Sequence, residues 1–216
     1  MKNPFLLFAS IFLITVSVNA QKVIPENVSD CLSPIGQPLF GGLKQYEELI
    51  DEMIFSKFSN LQTVRYQKSE FVWAIELEDP QEDPKYIIRV VYPETSIWSS
   101  IPHTDGIKIN NETKKIEAHD ARLIAKLFRA ALSTVCAKCH NIGMGEMMFY
   151  FSDISTAGRV WLAKSGQEGL REERLVSICE DISKELLRGK GSRIRLTPEM
   201  RDSIRQLTLD FEEKKE

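Results

Sequence analysis

Apolar and polar positions follow two rhythms along this chain. Tyr46, Leu49, Ile50, Met53, Ile54 and Phe58 recur at three- and four-residue steps, so the spacing predicts an amphipathic helix over 44–58. Phe71, Trp73, Ile75 and Leu77 then fall on every second position, the period of a strand. An acidic, proline-bounded loop follows, and the β-branched run 86–92 reads as that strand's antiparallel partner. Pro93, Pro102 and Gly106 bracket a less regular stretch, with a short strand expected at 106–109 before a turn at Asn110-Asn111.

The longest pattern comes next. Ile124, Leu127, Phe128, Ala131, Leu132 and Val135 form one continuous apolar stripe, predicting a helix over 117–139 stopped by Gly143 and Gly145. Two strands at 147–152 and 159–163 read as a hairpin. A helix over 168–187 follows, with Leu175, Ile178, Cys179, Ile182 and Leu186 on its core face. A basic, glycine-containing linker at 188–195 leads to a last helix, in which Thr197 is the N-cap and Pro198 opens the first turn. Strands joined by short loops, with helices between hairpins, predict an α+β fold: an antiparallel sheet with helices packed on one face.

The amino terminus changes the picture of where this domain works. Lys2 followed by the apolar run from Phe5 to Val18, and the small residues around Ala20, read as a cleaved signal peptide over 1–20. The expected organisation is then an irregular lead-in at 21–43 and a single α+β domain at 44–216, exported to the periplasm or the extracellular space as a soluble chain. No other apolar run is long enough to span a bilayer. The net charge of −3 argues against a nucleic-acid partner, which would call for a clustered basic face. Two glycosylation sequons occur, at Asn27 and Asn111, and matter only where the source glycosylates its exported proteins.

The four cysteines, Cys31, Cys136, Cys139 and Cys179, are an even number in an oxidising compartment, so disulfides are the first expectation. Cys136 continues the apolar stripe and Cys179 sits on the core face of the next helix. A Cys136–Cys179 or Cys139–Cys179 staple between the two helices is one option, with Cys31 tied to the remaining thiol. The stretch Cys136-Ala137-Lys138-Cys139-His140 also has the C-x-x-C-H spacing of covalent haem attachment. Here the chain resembles the c-type cytochromes. By that resemblance, haem c would be the cofactor, Cys136 and Cys139 its attachment sites and His140 its iron ligand, with Met147, Met148 or Met200 as distal candidates. On one helical turn both sulfurs and the imidazole would face the same side.

Other chemistry finds little support. Zinc lacks an evident fourth ligand beside Cys136, Cys139 and His140. A thioredoxin-type pair belongs at a helix start, not at a helix end. There is no G-x-S-x-G elbow, and Gly189-Lys190-Gly191-Ser192 lacks phosphate-loop spacing. His119-Asp120 reads as a solvated helix start, where the acid complements the dipole. The run Arg188, Lys190, Arg193 and Arg195 reads as a solvated linker, and Trp98 as the most exposed tryptophan and a part of a binding surface. Without a recognisable catalytic constellation, a binding or structural role is favoured over an enzymatic one, with partner and ligand unspecified. A monohaem c-type protein for electron transfer or ligand sensing is the runner-up.

Overall fold

The computed structural model describes residues 32–34, 43–79, 84–136, 147–162, 170–188 and 191–213. The expected signal peptide, most of the lead-in, Cys31, Cys139 and His140 lie outside the described residues. The strands are β1 (Ser33–Pro34), β2 (Gln62–Lys68), β3 (Phe71–Asp79), β4 (Lys85–Pro93), β5 (Ile109–Ile116), β6 (Met147–Asp153), β7 (Ala157–Leu162) and β8 (Arg193–Ile194). The helices are α1 (Leu43–Met53), α2 (Ile97–Ser100), α3 (Ala118–Leu132), α4 (Arg171–Arg188) and α5 (Pro198–Glu213).

The strands form one sheet in the order β1-β7-β6-β2-β3-β4-β5-β8. Every pairing is antiparallel except β5 with β8. The α+β class read from the sequence is therefore the class observed. The expected packing of helices on one face holds for α3, α4 and α5, whose apolar stripes meet Tyr66, Trp73, Ile75, Ile88, Val90, Phe149 and Phe151. The opposite face is not left bare. Ile50 of α1, with Ile54, Phe58 and Ile97, covers Val72, Ala74 and Val91. Burial on both faces explains why β4 reads as a dense β-branched run and why, in β3, every residue from Val72 to Ile75 is buried.

Phe128 is the centre of the larger core, 5.9 Å from the Trp73 ring and 5.7 Å from that of Phe151. Such offset and edge-on pairs each add about 0.5–1.5 kcal/mol beyond area burial.

Two local expectations are corrected, and one strand was not anticipated. The Asn110-Asn111 turn is not formed; both residues continue β5, opposite Tyr92 and Val91. A turn signal yields here to a neighbouring strand that supplies a full ladder of partners. The helix predicted over 117–139 ends at Leu132. Ser133 Oγ and Thr134 Oγ1 donate back to the carbonyls of Ala130 (2.6 Å) and Ala131 (2.7 Å), and so compete for the acceptors a further turn would need. Val135 still packs on the core, but from beyond the helix. Finally, β2 carried little sequence signal, because only Val64 and Tyr66 of its seven residues are buried.

Candidate binding cleft

A cleft of about 470 Å³ opens where the β2–β3 hairpin meets α4. The hairpin is closed by Ser69 and Glu70, with Lys68 paired to Phe71. Ser69 takes φ 51, a left-handed conformation that costs a residue with a Cβ about 1–2 kcal/mol. This tight turn sends the Glu70 carboxylate inward. Its Oε1 accepts from Ser96 Oγ (3.1 Å) and the Trp98 amide (2.8 Å), and its Oε2 from the Ile97 amide (3.0 Å). The hairpin tip thus holds the first turn of α2. Burial, then the nearby Glu70 carboxylate, push Tyr46 above the usual tyrosine range.

The facing wall comes from α4. Glu180, Ser183, Lys184 and Leu187 follow a three-, four- and seven-residue spacing and so share one helix face. Glu180 is fixed by the Tyr66 hydroxyl at 2.6 Å and by Lys68 Nζ at 3.0 Å. Buried Ser183 accepts from Trp73 Nε1 (3.1 Å) and donates to the Cys179 carbonyl (2.7 Å). The floor is apolar: the Phe71 and Tyr92 rings lie 5.8 Å apart beside Pro93. Leu187 on the rim is 51% exposed.

Ions around this cleft are already committed. Glu70 caps α2, Glu180 bonds Tyr66 and Lys68, and Lys184 bonds Asp181 at 2.7 Å. The arrangement offers apolar contact and fixed dipoles, the usual make-up of a ligand pocket.

The residues singled out in the sequence lie elsewhere. Cys136 follows the end of α3 and donates its amide to the Leu32 carbonyl at 3.1 Å, so it is not on a helical turn. The expected staple is corrected: no disulfide joins Cys136 to Cys179. Cys179 is a fully buried thiol whose pKa is pushed well up by burial, then by Glu180, which makes it inert rather than redox-active. The haem ligand set Cys136, Cys139 and His140 falls partly outside the described residues. Of the distal candidates, Met200 lines a cavity of about 280 Å³ between α4 and α5. Among the described residues, no three His, Cys, Asp or Glu side chains converge to hold a metal ion, and no helix is long and apolar enough to cross a membrane.

His119 is exposed, but the solvated reading of Asp120 is wrong. Asp120 is fully buried and accepts from Arg201 Nε (2.7 Å), Arg201 Nη2 (2.9 Å) and the Leu196 amide (3.3 Å), locking α3 to the start of α5. Within the basic linker, Arg193 bonds Glu117 at 3.0 Å while β8 joins the sheet. Trp98 is 55% exposed, its ring edge-on to Tyr46 at 5.1 Å. None of the cleft residues had been picked out in advance. The available signal was Leu187, an apolar residue beside Leu186 but off the core stripe of its helix.

No protein-family model, curated protein or solved structure matches this chain.

Proposed function

We propose that this chain is an exported binding protein that takes its ligand in the cleft between the β2–β3 hairpin and α4. The observation that carries this reading is the cleft's composition: a half-buried apolar floor of Phe71 and Tyr92 and an exposed rim at Leu187, beside polar groups already fixed by hydrogen bonds. Groups held in this way orient a ligand. A general acid or base would instead need a titratable group with a proton to give or take. Export rests on the apolar leader, and processing after Ala20 leaves Gln21 as the first residue.

Anilinonaphthalene sulfonate is a suitable probe, since it fluoresces on entering apolar clefts. The mature protein should bind it saturably, and both Phe71→Ser and Leu187→Lys should weaken binding by about tenfold or more, as expected for removing one apolar anchor. Binding unchanged in both variants would overturn the assignment of the cleft. The intact mass of protein recovered from the exported fraction tests the address: a chain beginning at Gln21 supports export, and retention of residues 1–20 opposes it. A mass increment of one porphyrin on that chain would replace this reading with the haem protein.

A further inference from the structure

Each end of the sheet is closed by a two-residue strand, β1 on β7 and β8 on β5. At the β8 end, among the described residues, only Lys115 and Ile116 of β5 have a partner strand on their outer side. Lys115 donates its amide outward to the Ser192 carbonyl at 2.8 Å, which fixes the phase of the strand. Backbone groups alternate along an antiparallel pair, so Thr113, Asn111 and Ile109 also point theirs away from β4. Among the described residues no strand pairs with them there. Natural edges are usually blunted by proline, a bulge or an outward lysine. The stretch from Ile109 to Thr113 has none of these; of the lysines that flank it, Lys114 is turned inward to the Leu186 carbonyl, exposed Lys108 is paired with Glu94 at 2.6 Å, and Lys115 already has β8 beside it.

Such a row is matched by another extended main chain. The candidates are a second copy of β5 and a foreign peptide, and charge separates them. Glu112 is exposed on the α4 side of the edge, and Glu94 lies close enough that both carboxylates raise the Tyr92 pKa after burial. Two antiparallel registers keep both Asn111 and Thr113 paired within two copies of β5. One sets Glu112 directly against its copy and the other places the two diagonally, at roughly 7 Å. Like charges so placed are destabilising, whereas a lysine or arginine at the same point is favoured.

We infer that the outer edge of β5 from Ile109 to Thr113 receives an extended peptide segment of a partner protein, bonded through its main chain to Asn111 and Thr113 and carrying a basic residue beside Glu112. This is strand addition, in which backbone bonds give affinity and alternate side chains give specificity. It uses outward backbone groups of β5, whereas the cleft uses Tyr92 and Pro93 of the neighbouring β4, so either can fail without the other.

The probe is a capped octapeptide of alternating valine and lysine, added to the mature protein while amide exchange is followed. Exchange at Asn111 and Thr113 should slow by about tenfold or more, with no such protection at cleft residues. The valine–glutamate analogue and a version N-methylated at alternate residues should have no effect. Thr113→Pro removes an amide that β4 does not use, the position where an edge strand tolerates proline. It should abolish peptide protection and leave dye binding in the cleft unchanged. Equal protection by the N-methylated peptide, or none with the lysine peptide at millimolar concentration, would overturn the inference. So would protection that rises with protein concentration alone and vanishes in Thr113→Pro, because the occupant would then be a second copy.

Discussion

Replacing Glu70 by alanine should unfasten the wall between the two helices of the smaller core. Glu70 is 8% exposed, and its carboxylate receives the Ile97 and Trp98 amides and the Ser96 hydroxyl. The Ser96 hydroxyl can turn toward water, but the buried Ile97 amide cannot. An orphaned buried donor costs about 1–3 kcal/mol, and a hydrogen bond to a charged acceptor contributes about 1.5–3 kcal/mol. These overlap, so a net loss of about 3–4 kcal/mol is expected. For a chain of this size, each kcal/mol moves Tm by about 2–4 °C, a drop of roughly 6–15 °C. Glu70→Gln keeps one acceptor but turns an amide donor toward another donor, so it should fall between wild type and alanine. Urea unfolding gives the free energy, and Trp98 emission reports the loss of its edge-on contact with Tyr46. A change below about 1 kcal/mol in Glu70→Ala, the scale of an ordinary surface substitution, would refute the claim that this carboxylate holds α2.

Three further outcomes follow from the same geometry. Asp120→Ala removes a fully buried acceptor of three bonds, and should cost about 3–5 kcal/mol in thermal unfolding; a melt within a few degrees of wild type would contradict this. Tyr66 and Cys179 are both raised by burial first, so the native state keeps protons that the unfolded chain releases above roughly pH 10 and 8.5. Their contribution is therefore complete below about pH 8.5 and is lost as pH rises, by up to about 1.4 kcal/mol per unit for each group. Tyr66→Phe should flatten that alkaline limb, and Cys179 should resist alkylation until the protein unfolds. Gly158→Ala puts a Cβ 2.8 Å from Val135 Cγ2 and 3.2 Å from Leu32 Cβ, both stiff neighbours, and should cost about 1–3 kcal/mol, measured by urea unfolding.

Much of this architecture was legible because burial imposes a period. The stripe Ile124 to Leu132 marked α3, and Thr197-Pro198 marked the start of α5, where Thr197 Oγ1 accepts from the Met200 amide at 3.2 Å. Side-chain chemistry that acts across the fold was not legible. Ser133 and Thr134 end α3 by bonding backward, a choice settled by local competition that apolar spacing does not reveal. The cleft shows the same limit. Glu70, Glu180 and Ser183 are ordinary polar residues in the sequence, and only tertiary contact gives them fixed partners more than twenty residues away. The cysteine spacing drew attention to 136–140, whereas the geometry draws it to the β2–β3 hairpin and α4, where no motif stands.

Trp73 links the cleft to a single spectroscopic signal, because its indole N–H ends on the Ser183 hydroxyl at the cleft wall. The decisive measurement is a nitrogen–proton correlation spectrum of the mature protein during titration with anilinonaphthalene sulfonate. If the cleft takes the ligand, the Trp73 indole resonance shifts in step with the fluorescence change, and the Trp98 indole resonance stays in place. A saturating fluorescence change that leaves Trp73 unmoved would show that binding occurs elsewhere and that the cleft is not the site.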